Sequence, residues 1–299
     1  MKGILDALKE KPLLCDGAMG TQLQAAGLAP GECGEVWCLR YPDRVQAIQA
    51  AYALAGSDCL ATNTFGGCRL ALERHGLADE TVAINQAAVA VAREAFGGKP
   101  GFVLGDIGPF GGLMEPYGTT KVAEVRAAFI EQARALLEGG ADAVIIETMT
   151  SLEELEVALQ AAREAGAAVV LASMSFDVTF DGTDARTMMG VTPEQAAEHM
   201  HRNGADVIGT NCGKDVDSLW TAKILQRYRT VSDLPLLAQP NAGQPELNEG
   251  VISYRQSATD SADGLEGLLN AGARLIGACC GSAPPHIRAL RERLDFRPA

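Results

Sequence analysis

The segment Gly140–Thr148 reads GADAVIIET, and Gly204–Cys212 reads GADVIGTNC. Two further segments superpose on them: Gly56–Thr64, GSDCLATNT, and Gly272–Cys280, GARLIGACC. Each opens on a glycine, which suits the left-handed residue just past a helix end. A short turn and an apolar, β-rich run follow, so each segment predicts a joint between a helix and a strand. Seven and eight residues after the glycines stand Asn63 and Thr64, Glu147 and Thr148, Asn211 and Cys212, and Cys279 and Cys280.

Outward from these joints, apolar runs recur at Leu13–Asp16, Cys59–Phe65, Phe102–Gly108, Ala143–Met149, Val169–Phe176, Val207–Cys212, Leu234–Asn241 and Leu275–Cys280. Helical periodicity fills most of the gaps, as in Lys121–Glu138 and Ser151–Ala165. Eight strands alternating with helices predict an α/β chain folded as a (β/α)8 barrel. A doubly wound sheet is the alternative, but it seldom needs eight regular units. The 299 residues suit one such domain spanning 1–299, ending in a short tail at Phe296–Ala299. On this count the four repeated segments are strands two, four, six and eight. Alternate strands of such a barrel share layers, and its chemistry sits at their carboxyl ends. Barrel construction explains the glycines and apolar residues. It does not explain a glutamate and three cysteines at the strand ends.

Composition narrows the function. A hydrophobic fraction of 47% with 21% charged residues fits a packed enzyme and argues against disorder. The net charge of −13 repels phosphate backbones and anionic lipid, so neither nucleic acid nor a membrane is an expected partner. No apolar run reaches the roughly 20 residues of a membrane span. Met1–Lys11 carries no signal-peptide core, and a cytoplasmic location is expected. Eight cysteines in a reducing compartment read as free, metal-bound or catalytic rather than disulfide-bonded.

Cys212 ends strand six, and Cys279 and Cys280 end strand eight. A structural zinc site uses four protein ligands, often from C-x2-C pairs, and no such pair is present. Three protein thiolates leave one exchangeable position, the catalytic pattern. Adjacent residues in a strand face opposite ways, so both Cys279 and Cys280 can serve one ion only if the backbone leaves strand geometry, which Gly281 permits. Three thiolates make zinc too electron-rich to generate hydroxide efficiently, but well suited to holding a substrate thiol deprotonated near neutral pH. That is the chemistry of alkyl transfer to sulfur. A redox-active Cys279–Cys280 pair is the competing reading. Cys15, Cys33, Cys38, Cys59 and Cys68 read as core residues. His75, His199, His201 and His286 read as surface or packing residues.

These residues and their surroundings resemble the homocysteine S-methyltransferase family, most of all the homocysteine-binding barrels of its cobalamin-dependent branch. The resemblance spans nearly the whole chain. It runs through Asp16–Thr21 (DGAMGT), Thr62–Gly66 (TNTFG), Gly105–Pro109 (GDIGP), Glu147–Thr148, Met174–Asp177 (MSFD), Asn211–Gly213 (NCG), Pro240–Gly243 (PNAG) and Gly277–Gly281 (GACCG). The split cysteine pattern with its vicinal pair is its most specific part.

The resemblance implies zinc on Cys212, Cys279 and Cys280, with homocysteine bound through sulfur. It implies Glu147 as the partner of the substrate ammonium group. Asp16 and Gly17 fall in a loop that holds the amino-acid end, and Asn63 and Thr64 line the pocket. Asn241 is implied as a fourth metal ligand when no thiol is bound. Methylcobalamin, on another domain or a separate corrinoid protein, is the implied methyl donor. The chemistry supports Glu147 independently, because an ammonium group entering a cleft needs a carboxylate. A Gly-rich turn such as Asp16–Gly20 likewise offers N–H groups to a carboxylate. Other readings stay open: S-methylmethionine or betaine as donor, another thiol as acceptor, a thiol- or zinc-binding module without turnover, or a zinc hydrolase. Three thiolates without a strand-end histidine speak against the last.

Overall fold

The computed structural model describes residues 2–248 and 251–296. Eight parallel strands form its centre: β1 Leu13–Leu14, β2 Cys59–Ala61, β3 Phe102–Ile107, β4 Ala143–Met149, β5 Val170–Met174, β6 Val207–Asn211, β7 Leu236–Gln239 and β8 Ala273–Ile276. Hydrogen-bonded ladders link β2 through β8 in sequence and then β8 back to β1. No ladder joins β1 to β2 among the described residues. Individual bonds hold that seam. Asp58 N donates to Leu14 O at 2.7 Å, Leu14 N to Asp58 Oδ2 at 2.8 Å, and Ala61 N to Asp16 Oδ2 at 2.9 Å. The expected (β/α)8 barrel is therefore present.

The repeated glycines play their expected part. Gly56, Gly140, Gly204 and Gly272 have φ of 110, 95, 82 and 97°, each turning the chain from a helix into an even-numbered strand. Between strands, helices such as Val122–Glu138 and Leu152–Glu164 lie close to their predicted bounds. Ser151 caps the second, accepting from Glu154 N at 3.3 Å. Val122–Glu138 buries Val125, Ala128, Phe129, Gln132, Ala133 and Leu136. That i, i+3, i+4 stripe faces β3 and β4.

Inside the barrel, Leu13, Cys15, Cys59, Leu104, Ile145, Leu171, Val207, Leu237 and Leu275 form one apolar cluster. The helix Ile4–Glu10 plugs its amino-terminal end, adding Ile4 and Leu8 to the cluster. Burying a leucine there stabilises by about 1.5–3 kcal/mol. Cys15, Cys33, Cys38, Cys59 and Cys68 are buried and free, as packing residues would be. No helix among the described residues is long and apolar enough to cross a membrane.

The fold departs from expectation at the mouth. Most strands stop short of their predicted carboxyl ends; β8 ends at Ile276 rather than Cys280. The residues beyond leave the ladder and bend over the opening. Two hairpins unforeseen in the sequence rise there, Asp177–Val178 with Ala185–Arg186, and Pro245–Asn248 with Val251–Tyr254. Phe296 follows the last helix, Pro284–Asp295; the rest of the expected tail lies outside the described residues.

Candidate metal centre

Asn211 is the last residue of β6, and Cys212 follows it with φ 58°. This left-handed turn breaks the strand's alternation and lets Cys212 face the mouth as Asn211 does. Cys212 N donates to Gln239 O at 3.2 Å. Gly213 continues at φ 92°, so close to the segment just past β5 that a Cβ would lie 1.8 Å from Phe176 O. On the other side, Cys279 N donates to Pro240 O at 2.8 Å and Cys280 N to Asn241 Oδ1 at 3.1 Å. Gly281, at φ 80°, then makes room for the ring of Tyr254, 2.0 Å from where its Cβ would be.

The result is a triangle of sulfurs. Cys212 Sγ lies 3.7 Å from Cys280 Sγ, Cys279 Sγ lies 4.0 Å from Cys280 Sγ, and all three fall within 4.8 Å of one another. Sulfurs at about 2.3 Å from a tetrahedral zinc are about 3.8 Å apart, so the donor set and spacing fit one such ion. Among the described residues it is the one cluster of three or more metal-ligating groups. No histidine joins it. His201 meets Ser232 and His286 caps Ala283 N, consistent with packing roles.

The thiols share their protons unequally. Bonds from Cys212 and Cys279, with Tyr254 adding another, bring Cys280 down to about 3. Bonds to Cys212 and Cys280, then burial, push Cys279 well up. Cys212 is also raised, the bond to Cys280 and burial outweighing a lowering bond with Cys279. Burial, then the charge of Cys280, raises Tyr254 to about 12, which keeps its hydroxyl a donor.

Beside the thiols stands a set of carboxyls. Burial, then the charge of Cys212, raises Glu147 to about 7. Burial raises Asp16 to about 8 despite the bond from Ala61 N, with Glu147 adding to the rise. Asp106 on β3 is raised well above the usual range by burial and by Glu147, Asp16 and Glu35. Asp106 pairs in register with Ile145, two residues before Glu147, so it faces the interior one layer below. Its Oδ1 is buried without a hydrogen-bond partner. Among the described residues, no lysine or arginine forms an ion pair with any of the three. The interior under the mouth is thus lined by three buried carboxyls that hold their protons more tightly than free carboxyls do.

The other expected site residues frame this chamber. Gly17 is required by packing, since a Cβ there would lie 2.5 Å from Ser282 Oγ and 3.0 Å from the Tyr52 ring. Ser282 Oγ also accepts from Ala18 N at 2.9 Å. Asn63 Nδ2 donates to Gly34 O at 2.8 Å and ties down the loop that carries Cys33. Thr64 is fully buried, its hydroxyl bonded to Thr62 Oγ1 and Asp106 O; it shapes the β2–β3 edge. Asn241 bridges the two cysteine loops, donating to Gly213 O at 2.8 Å and accepting from Cys280 N. The Oδ1 that accepts from Cys280 N is also the atom Asn241 would offer a metal. Asp106, Asn211, Tyr254 and Ser282 were assigned no role from the sequence. Asn211 did stand at a repeated strand-end position, and Asp106 is an acid two residues beyond the inward-facing Leu104.

Comparison with known proteins places this geometry in a family. The family described as homocysteine S-methyltransferase matches residues 13–294. The methionine synthase of Mycobacterium tuberculosis is 33% identical over 95% of the chain, and that of Mycobacterium leprae 32% identical over 95%. The chain spans about a quarter of the length of these curated relatives, 25% and 24%. Among solved structures, the metallated form of the Escherichia coli homocysteine methyltransferase MmuM superposes with a TM-score of 0.77. It is 26% identical and covers 97% of this chain and 99% of its own.

Proposed function

The chain belongs to the homocysteine S-methyltransferase family, and on that footing we propose that it activates homocysteine as a thiolate for S-methylation to methionine. The observation that carries this reading is the triangle of Cys212, Cys279 and Cys280 sulfurs at the barrel mouth. These residues would hold zinc, which when bound keeps a substrate thiol deprotonated at neutral pH and nucleophilic.

The chain's own groups do the rest. Glu147, with Asp16 and Asp106 close by, receives the ammonium group. Ion pairing to that group lowers a carboxyl's pKa, so a carboxyl neutral in the empty chamber ionises as substrate enters. N–H groups of the turn from Asp16 to Gly20 receive the substrate carboxylate, Gly17 allowing the close approach. Tyr254 donates to Cys280 and steadies that sulfur's charge. Asn241 holds the loops of Cys212 and Cys280 together and is the group able to fill a fourth metal position before substrate arrives. Fixing thiol and amino end together leaves the sulfur aimed out of the barrel, where positioning supplies much of the rate.

The proposed donor is methylcobalamin carried by another domain or a separate corrinoid protein. This accords with a chain that matches about a quarter of each methionine synthase. Zinc-loaded protein should be supplied with homocysteine and, in turn, methylcobalamin, S-methylmethionine or betaine, and methionine measured. Turnover with methylcobalamin supports the reading. Turnover only with one of the others replaces the donor. Homocysteine binding without turnover with any of them favours a thiol-binding module.

A further inference from the structure

Thr148 has φ 59°, in the left-handed region that β-branched residues avoid. It directly follows Glu147, so whatever holds Thr148 there also sets the direction of the Glu147 carboxylate. One side chain holds it with two bonds. Thr148 N donates to Asn211 Oδ1 at 2.9 Å, and Asn211 Nδ2 donates to Thr148 Oγ1 at 2.7 Å. The same Oδ1 accepts from Ser173 Oγ at 2.7 Å. Asn211 on β6 therefore reaches past β5, where Ser173 stands, to the end of β4. Asn211 is itself 1% exposed, its bond from Ser173 fully buried and its two bonds with Thr148 partly so. Cys212 is anchored separately, through its own N–H on Gln239 O and through the hold of Asn241 on Gly213 O.

We propose that Asn211 is a positioning residue: its side chain clamps Thr148 in the left-handed conformation and so aims Glu147 at the substrate ammonium group. Released from the clamp, threonine leaves that conformation, because its Cβ crowds the following carbonyl there, and Glu147 turns with it. The cysteines, held by other bonds, stay in place. The clamp thus governs recognition of the amino end and not of the sulfur. The proposal rests on the reading of Glu147 as the ammonium partner.

The test uses the zinc-loaded full chain and two thiols that differ only at that end, L-homocysteine and its des-amino analogue 4-mercaptobutyrate, with calorimetric affinities and zinc content as readouts. In Asn211→Ala, zinc stays at about one per chain. Homocysteine binds about tenfold or more weaker, the scale of one lost charged hydrogen bond, and 4-mercaptobutyrate is nearly unaffected. Adding Thr148→Gly to that variant restores most of the loss, because glycine holds a positive φ without a clamp. Equal losses for both thiols, loss of zinc, or no recovery with glycine overturns the proposal. If Asn211→Ala does not fold, single variants at position 148 decide. Thr148→Val keeps the strain, loses the Oγ1 contact and binds homocysteine less well than Thr148→Gly, whereas the reverse order overturns it. A wild type with no preference for homocysteine over 4-mercaptobutyrate overturns the reading of Glu147 and this proposal with it. A wild-type preference left intact by Asn211→Ala overturns this proposal alone.

Discussion

Cys212 and Cys280 are 68 positions apart in the chain, yet their sulfurs lie 3.7 Å apart. Each is placed beside a left-handed residue: Cys212 leaves β6 at φ 58°, and Cys280, four residues past the end of β8, is followed by Gly281 at 80°. The thiol triangle is therefore a product of backbone turns as much as of residue type, and its consequences can be measured.

Gly213 is the point where the turn admits no side chain. In Gly213→Ala the new Cβ would meet Phe176 O, and φ 92° strains any L-residue. We expect about 2 kcal/mol or more of lost stability in urea denaturation and weaker zinc retention against a chelator. Unchanged values for both would show that the turn can open without moving Cys212.

Burial of Asp16 gives stability a signed pH dependence. Its carboxyl titrates near 8 in the fold and near 3.9 unfolded. Between those values the folded state holds a proton that the unfolded state has released, so this residue makes stability fall as pH rises. Asp16→Asn removes the effect while keeping an acceptor for Ala61 N. The variant should gain on wild type by up to about 1.4 kcal/mol per pH unit, measured by urea denaturation from pH 5 to 8. A difference independent of pH would mean that Asp16 is ionised throughout.

Glu147→Gln should raise the KM for homocysteine about tenfold or more, by loss of a charged hydrogen bond, with zinc content unchanged. Wild-type affinity should also fall as pH drops through about 7, where the Glu147 carboxyl gains a proton. Steady-state kinetics across that range checks both effects. A variant with wild-type KM and the same acid limb would remove Glu147 from substrate binding.

At the far end of the barrel, Leu8 belongs to the helix that plugs the interior and is 1% exposed. Leu8→Ala should cost about 2–5 kcal/mol of stability by leaving a cavity. Because the plug lies opposite the mouth, zinc content and homocysteine affinity of the folded protein should not change. Denaturation and metal analysis on the same sample separate the two ends of the molecule.

Much of this was legible in the sequence, for physical reasons. Apolar runs and glycines past helix ends are local signals, and they placed all eight strands and the even-strand repeat. Cysteines at strand ends carry their chemistry in their type, so Cys212, Cys279 and Cys280 could be read as one site. What escaped notice was set by backbone direction and by contacts between distant segments. The left-handed turns at Thr148 and Cys212 occur at residues that rarely adopt them. The reach of Asn211 to Thr148 spans three strands, and Asp16 closes the β1–β2 seam through Ala61. The hairpin carrying Tyr254 follows a segment with little periodic signal. The resemblance implied Thr64 as a pocket-lining residue, but its bonds to Thr62 Oγ1 and Asp106 O, which cross from the end of β2 to β3, had no local signal.

The central claim is that three cysteines hold one zinc that activates a substrate thiol. The most direct measurement is zinc per chain in wild type and Cys212→Ala, followed by proton release near pH 7 as L-homocysteine is added. The account predicts about one zinc per wild-type chain, lost in the variant, with about one proton released per homocysteine bound. A wild type that takes up no zinc after anaerobic reconstitution, or that binds homocysteine without releasing a proton, would contradict it.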